Sequence, residues 1–355
     1  LSSFPRVEVS LSKLEHNAKR VVEVCKPLGI EVAAVTKGFC AYPELAEALL
    51  RGGVQMLADS RIDNLKKLQH FSVPKILLRI PMISELDDVL EYSDYVLISE
   101  IETAKILGQK AAQRGKKHKV IIMVDLGDLR EGFWLDDVVE AAGKINGMDG
   151  IELAGIGTNL SCYGGVIPSE ANLGNLAGFA RRIEEELGIN LSIVSGGNSS
   201  SMPLVFDGKI PSKINNLRIG EAMLLGRETI TGIERENFYN DTFVLEAEIV
   251  EIKEKPSVPI GEIGVDAFGK IPVFEDRGIR KRAIIAVGKQ DLQPDTLIPA
   301  DKSIIILGGS SDHTLLDIHD CRIDYKVGDV LRFELTYGGM LWSMTSPYVK
   351  KVFIP

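Results

Sequence analysis

The sequence predicts an α/β protein in which a closed (β/α)8, or TIM, barrel is followed by a smaller β-rich domain. Eight buried apolar runs alternate with helical stretches over Glu31 to Gly226, the alternation of a closed parallel barrel. From about Asn237 the hydrophobic period changes from helical to strand-like, with Gly and Pro between the runs. A chain of 355 residues, 45% of them apolar, can bury a large core and suits one big domain plus a smaller one. The reading places the barrel at residues 10–230 and the β domain at residues 231–355 together with residues 1–9.

Each element has a local reason. After a strand-like start from Arg6 to Val9, SLSKLEHNAKRVVEVCKPLG carries apolar residues at helical spacing, with Ser12 placed as its N-cap. EVAAVTK is a continuous apolar run closed by Gly38, as expected of a strand buried on both faces, and the helix YPELAEALLRGG follows. The alternation then repeats: VQMLADS and RIDNLKKLQ, KILLRI and SELDDVLEY, YVLIS and IETAKILGQKAAQRG, KVIIMVDL and LDDVVEAAGKI. IELAGIGTNL, LSIVSGGNS and LRIGEAMLL supply the last three strands, with the helix ANLGNLAGFARRIEEELG between the first two. Beyond them FVLEAEIVEIKEK, RKRAIIAVG, KSIIILGG, TLLDIHD and VLRFELTYGG alternate as strands, and Val-Gly-Asp at 327–329 is a tight-turn signal.

Charge and composition exclude some partners. The net charge of −9 is spread without a basic cluster, so the footprint that holds a phosphate backbone is missing and no nucleic-acid partner is expected. No apolar run approaches the ~20 residues that span a bilayer, and the start LSSFPRVEVS lacks a signal core; the expectation is a cytoplasmic protein without a membrane partner. Cys25, Cys40, Cys162 and Cys321 are far apart and form no C-x-x-C pair, which fits a reducing compartment.

In such a barrel the working groups stand at the carboxyl ends of the strands. The polar residues closing the apolar runs are Lys37, Asp59, Arg79, Ser99, Asp125 with Arg130, Asn159, Ser195 with Asn198, and Arg218. A purely structural barrel also needs polar strand ends, and an isolated strand-end lysine is ordinarily solvent-exposed. Lys37, however, closes the first strand beside Gly38, where the rim is crowded and an amine is placed for covalent chemistry. SGGNSSS ends the seventh strand with N–H groups and hydroxyls at the barrel's usual phosphate position, and LRIGEAMLLG brings Arg218 and Gly220 to the same place. A glycine-rich loop needing positive φ would look the same.

The segments AAVTKGFCA, ADSRIDNLKKL, LLRIPM, IIMVDLGDLREGF, GIGTNLSCYGGVIP, VSGGNSSS, LRIGEAMLLG, KPSVPIGEIGVDAFG and LGGSSDH together resemble the alanine racemase family of fold-type III pyridoxal-phosphate (PLP) enzymes, and within it the ornithine racemase branch. The resemblance runs over nearly the whole length. It implies pyridoxal 5'-phosphate carried on Lys37 as a Schiff base, with Lys37 also one of two bases that exchange the Cα proton. It implies that Arg218 bonds the cofactor's pyridine nitrogen, keeping it unprotonated and so discouraging decarboxylation or transamination. Ser195, Asn198, Ser199, Gly220 and Glu221 fall where the family holds the phosphate, the last two through backbone N–H, and Arg79 and Asn159 complete the cofactor set.

Arg130 matches the arginine that steadies the substrate carboxylate. The sequence departs from the family at Met123, where a modified lysine often stands, and at Asn159, where a histidine is usual. The family's second base is a tyrosine from the partner subunit; AVGKQD puts Lys289 at that position, with Asp312, His313, Cys162 and Tyr337 in reserve. Asp312 matches a residue at the site entrance, where a carboxylate favours the terminal ammonium of ornithine or lysine over alanine. The resemblance thus implies a racemase of a free, basic amino acid, ornithine before lysine or arginine and these before alanine, working as a homodimer with sites at the interface. A fold-type III basic amino-acid decarboxylase and a non-catalytic PLP-binding regulatory protein remain alternatives. No metal is expected, although His313, Asp317 and His319 would share one face of a strand.

Overall fold

The computed structural model describes residues 3–227, 229, 230, 232 and 234–355. The chain divides into two compact units, Leu11–Asn240 and, built from both chain ends, Leu1–Ser10 with Asp241–Pro355. The first unit reaches past residue 230 because a buried asparagine ties its end down: Asn17 Nδ2 donates to the carbonyls of Met223 (3.1 Å) and Tyr239 (2.8 Å), and Asn17 Oδ1 accepts from Tyr239 N (2.9 Å).

The chain opens with β1 (Arg6–Ser10), which belongs to the second unit. The first unit then runs α1 (Leu11–Cys25), β2 (Glu31–Val35), α2 (Pro43–Arg51), β3 (Met56–Asp59), α3 (Ile62–Lys67), β4 (Lys75–Leu77), α4 (Leu86–Tyr92), β5 (Tyr95–Ile98), α5 (Ile101–Gln113) and β6 (His118–Val124). It continues with α6 (Val138–Asn146), β7 (Ile151–Thr158), α7 (Glu170–Leu187), β8 (Ile193–Ser195), α8 (Met202–Phe206), β9 (Asn216–Ile219) and α9 (Glu221–Leu225). Strands β2 to β9 pair in parallel in chain order and close into a barrel, β9 meeting β2 with Glu31 opposite Asn216 and Ala34 opposite Ile219. Side chains alternate across each strand, so Ala33, Val35, Ala58, Ile76, Leu97, Ile121 and Met123 fill the interior as one buried cluster. Each large apolar side chain so buried contributes roughly 1.5–3 kcal/mol.

Two local expectations are corrected. Ser12 is not the cap of α1, because β1 ends at Ser10 and the helix begins at the next residue, which puts Ser12 inside the first turn. LRIGEAMLL is not one strand: it breaks at Gly220 (φ −123°, ψ −84°), and the N–H groups of Met223 and Leu224 both return to the Gly220 carbonyl at 3.0 Å. A short helix buried at every residue after Glu221 has almost no polar face, so its residue pattern is that of a buried strand.

The second unit is built on β10 (Phe243–Pro256), β11 (Ile279–Ile285), β12 (Leu297–Pro299), β13 (Ile305–Gly309), β14 (Thr314–Asp317), β15 (Val330–Leu335), α10 (Tyr337–Thr345) and β16 (Lys350–Ile354). Its sheet follows the order β12-β15-β10-β11-β14-β13, and β1 lies antiparallel to β10 and parallel to β16. The end of VLRFELTYGG turns into α10, whose N-cap Thr336 accepts from Gly339 N through its hydroxyl. Val-Gly-Asp at 327–329 is a turn, with Gly328 at φ 95° and its N–H on the Ile249 carbonyl at 2.9 Å. Asp317 is taken by Arg280 (2.8 Å) and His319 lies beyond the end of β14. Among the described residues no group of three or more His, Cys, Asp or Glu is placed to hold a metal ion.

Candidate active site at the barrel rim

The barrel's carboxyl end collects most of the polar residues singled out from sequence. Lys37 is the second residue after β2 and starts a single tight turn, Lys37–Phe39. Thr36 anchors that turn: its carbonyl accepts from Phe39 N and Ala41 N, each at 3.2 Å, and its N–H donates to the Ala58 carbonyl at 2.8 Å. The turn ends in two consecutive non-glycine residues in the left-handed region, Cys40 (φ 54°) and Ala41 (φ 51°). That conformation disfavours L-residues and persists where its surroundings over-determine it. Lys37 itself is half-buried.

Arg218 points into the barrel from β9 and is 4% exposed. Its Nη1 donates to Ser195 Oγ (2.5 Å) and its Nη2 to the Thr158 carbonyl (2.6 Å), while Ser195 Oγ donates on to Asn216 Oδ1 (2.6 Å). Gly157 makes the space: a Cβ there would stand 3.3 Å from Ser195 Cβ and 3.4 Å from Arg218 Nη1. Burial brings the Arg218 pKa down to about 10, with Glu131 and Cys162 pulling it back up and Arg130 adding to the fall. Ser195, expected at a phosphate, therefore has its hydroxyl committed to holding Arg218.

The SGGNSSS loop is built as a donor-rich cradle. Asn198 Oδ1 accepts from Ser200 N (2.7 Å), and Asn198 Nδ2 donates to Asn159 Oδ1 (3.0 Å) and the Leu160 carbonyl (2.9 Å). Ser199 Oγ sits on the N–H groups of Gly220 (3.3 Å) and Ala222 (3.1 Å). Burial pushes the pKa of the Glu221 carboxyl up. Asn159 Nδ2 is buried without a hydrogen-bond partner. A buried donor left unmade is costly, and beside hydroxyls and backbone N–H groups it suits an anionic or acceptor-bearing ligand.

Arg130 pairs with Glu131 through both Nε and Nη2. Burial works against its charge and Glu131 more than restores it. The loop carrying them folds back on its own strand, Phe133 N donating to the Met123 carbonyl (2.8 Å) and Asp125 N to the Phe133 carbonyl (3.1 Å). Gly132 (φ 143°) permits this, as a Cβ would lie 2.3 Å from Asp125 N. With Met123 inside the barrel core, Glu131 is the group that orients Arg130.

Asp128 escaped the sequence reading. Its buried carboxylate accepts backbone N–H bonds from Ser161 (3.0 Å), Cys162 (3.3 Å), Tyr163 (3.0 Å) and Val166 (3.1 Å), tying the loop after β6 to the loop after β7. Burial pushes its pKa up, and the backbone bonds outweigh that and leave it below the usual range. The donors lie over thirty positions away in sequence, so no local spacing signals the bonds. Arg79 closes β4's end but spends its Nη2 on both oxygens of Glu85 (2.8 and 2.7 Å). Its Nε is another buried donor without a partner.

Two expected residues lie in the β-rich unit. Lys289 Nζ stands 3.9 Å from the Phe268 ring centre and 3.8 Å from Asp266 Oδ2, and its N–H donates to the Ser310 carbonyl (2.8 Å). Asp312 Oδ1 accepts from Gln290 Nε2 (2.6 Å), so the AVGKQD and SSDH segments form one cluster. Of the reserves, His313 lies in that cluster, its carbonyl accepting from Ser310 N (2.8 Å). Tyr337 opens α10, and Cys162 stands on the barrel rim, its Sγ accepting from Asn198 Nδ2 (3.3 Å).

Fold and site together give a closed parallel barrel with a half-buried lysine just past the end of its first barrel strand, a buried guanidinium inside the barrel and a donor-rich loop after the seventh. Residues 9–228 match the family described as alanine racemase, N-terminal domain. The chain is 48% identical over 349 residues to an ornithine racemase of Acetoanaerobium sticklandii, covering 98% of this chain and 99% of that one. It is 43% identical over 354 residues to a lysine racemase of Thermotoga maritima, covering 99% of each. Among solved structures, an alanine racemase of Clostridium difficile 630 superposes with a TM-score of 0.72 at 19% identity, over 100% of this chain and 96% of that one. An alanine racemase of Bartonella henselae with covalently bound pyridoxal phosphate gives 0.73 at 17% identity, over 99% and 100%. These two establish the fold. The chain belongs to the alanine racemase family, which uses PLP, and is an amino-acid racemase. The decarboxylase and non-catalytic readings give way to it. No helix among the described residues is long and apolar enough to cross a membrane.

Proposed function

We propose that the protein racemises a free basic amino acid, ornithine before lysine or arginine and these before alanine, with pyridoxal 5'-phosphate held on Lys37. The observation that carries the substrate is full-length likeness to an ornithine and a lysine racemase. The fit to the cofactor rests on the donor set: the orphaned Asn159 Nδ2, the Asn198–Ser199 loop, the backbone N–H groups at Gly220 and Glu221, and the buried Arg218. Asn198, Ser199, Gly220 and Glu221 would hold the phosphate and Arg218 the ring nitrogen, with Ser195 holding Arg218.

When bound, the cofactor supplies an electron sink that acidifies the substrate's Cα–H. Everything else falls to the protein. Lys37 Nζ takes or returns the Cα proton on one face, and Lys289 Nζ exchanges it on the other, so each turnover moves one proton off and one proton on. Arg130, oriented by Glu131, grips the substrate carboxylate. Arg218 keeps positive charge at the ring nitrogen and denies it a proton, which favours return of the Cα proton over loss of carboxylate. Lys289 and Asp312 come from the β-rich unit of a second copy, so the protein works as a homodimer. In support, the 257–278 segment exposes Ile260 (91%), Ile271 (72%) and Val273 (94%), an apolar surface of the kind that marks an interface.

The test joins absorbance after PLP addition and borohydride reduction to a chiral assay on ornithine, lysine, arginine and alanine. The expected result is a reducible band, fastest racemisation of ornithine, and loss of both band and turnover in Lys37→Ala. Full racemase activity in Lys37→Ala would sink the assignment.

A further inference from the structure

Asp59 is a wholly buried acid at the carboxyl end of β3 that the mechanism above leaves unused. Its Oδ2 accepts from Thr36 Oγ1 at 2.6 Å, and its Oδ1 accepts from Arg61 N at 2.8 Å and Asn64 Nδ2 at 3.1 Å. Every one of these partners is a donor, the environment a carboxylate requires when it is taken out of water. Thr36 is the residue immediately before Lys37, and its backbone anchors the whole Lys37 turn. The Asp59–Thr36 bond, which is shorter than the 3.3 Å from Thr36 Oγ1 to the Ala58 carbonyl, therefore fixes the side chain of a residue whose backbone anchors that turn.

The charges around Asp59 narrow its role. Burial pushes its pKa up, and the three hydrogen bonds and Lys37 only partly offset that. The neighbouring cations are spent elsewhere. Lys67 of α3 donates to the Cys40 carbonyl and Asn64 Oδ1, both at 2.9 Å, Arg79 at the end of β4 is held by Glu85, and Arg61 offers Asp59 its backbone.

We infer that Asp59 is a positioning residue for Lys37, setting through Thr36 the turn that presents the amine. This rests on the reading of Lys37 as cofactor-bearing base. It is a different claim, because Lys37 could serve that role with no help from Asp59.

The experiment uses the full-length, cofactor-loaded protein carrying Asp59→Asn, Thr36→Val or Thr36→Ser. Two quantities are read: the circular dichroism of the bound cofactor's absorbance band, which reports how its lysine is held, and the α-deuterium isotope effect on racemisation started from each enantiomer. Asp59→Asn, which sets an amide NH2 among partners that are all donors, and Thr36→Val weaken the dichroism, and Thr36→Ser, which restores the hydroxyl, matches the unaltered protein. The isotope effect rises only from the enantiomer whose proton Lys37 removes, whereas general loosening of the barrel would leave the two directions in their original proportion. An Asp59→Asn protein with unchanged dichroism and unchanged isotope effects overturns the inference, whatever its stability. If Asp59→Asn does not fold, Thr36→Val decides in the same way. Failure of the Lys37 reading shows separately, as a reducible band or turnover that survives Lys37→Ala.

Discussion

Lys37 and Lys289 are given the same chemistry but are held in opposite ways. Lys37 follows a parallel strand whose neighbours are fixed by ladder hydrogen bonds, and its turn is bolted through Thr36 to β3. Lys289 lies in a loop after β11, where its amine rests against an aromatic ring and a carboxylate of the long 257–278 segment and its backbone against the 310–313 turn. A group on a strand end inherits its place from the barrel. A group on a loop takes its place from other loops, and those contacts can be rebuilt without touching the fold.

The largest expected effect tests whether the two lysines form one site. Lys289→Ala, with the cofactor band intact, should lose roughly 10²–10⁴-fold in kcat, the usual worth of a positioned proton donor. Lys37→Ala and Lys289→Ala chains, each inactive alone, should regain about a quarter of full activity when co-expressed, since half of random dimers are mixed and each holds one intact site of two. Full activity in Lys289→Ala moves the second base to Asp312, His313, Cys162 or Tyr337. No recovery on co-expression breaks the shared-site reading.

The same contrast explains what could be read from sequence. The barrel was legible because buried strands alternating with helices leave a strong periodic signal, and the rim followed because a polar residue must close each run, as at Lys37, Asp59 and Asp125. Lost from view were features made by pairing distant residues: the Asp128 bonds to Ser161 and Val166, the Arg79–Glu85 pair, and the space Gly157 leaves for Arg218. Ser195 shows the limit well. Its place at the end of β8 was legible, but whether its hydroxyl faced a ligand or Arg218 depended on a partner on β9. In the β-rich unit the strands were visible, while the union of Lys289, Gln290, Ser310 and Asp312 required two loops to meet.

A smaller effect separates the barrel's working rim from its other end. His118 opens β6, buried, with Nε2 3.3 Å from Ser93 Oγ, whose own hydrogen goes to the Val89 carbonyl. Burial lowers its pKa from 6.5 to about 4, although Asp94 opposes the fall. The folded protein thus keeps His118 neutral where the unfolded chain would protonate it. Stability from this group is complete above the ordinary histidine value and is lost as pH falls toward the depressed one. Between about pH 7 and about pH 5 the loss is about 2 kcal/mol, measurable by urea unfolding, and His118→Gln should abolish that share without changing racemisation at neutral pH. An unchanged pH slope in His118→Gln would show that the acid sensitivity belongs elsewhere.

The smallest effect concerns selectivity. Asp312 uses one carboxylate oxygen on Gln290 within the cluster that carries Lys289, so its charge is available to a substrate ammonium only if that cluster faces the substrate. Asp312→Asn keeps the hydrogen-bonding shape and removes the charge. If Asp312 reads the side-chain ammonium, kcat/KM for ornithine and lysine should fall about tenfold while that for alanine, which has no such group, holds within about twofold. An equal fall for all three would mean that the carboxylate braces the 310–313 turn beneath Lys289 and leaves substrate choice to the barrel. Because Asp312 and Lys289 share one loop cluster, the alanine control separates the two roles: damage to the second base slows every substrate, and loss of ammonium recognition slows only those that carry one.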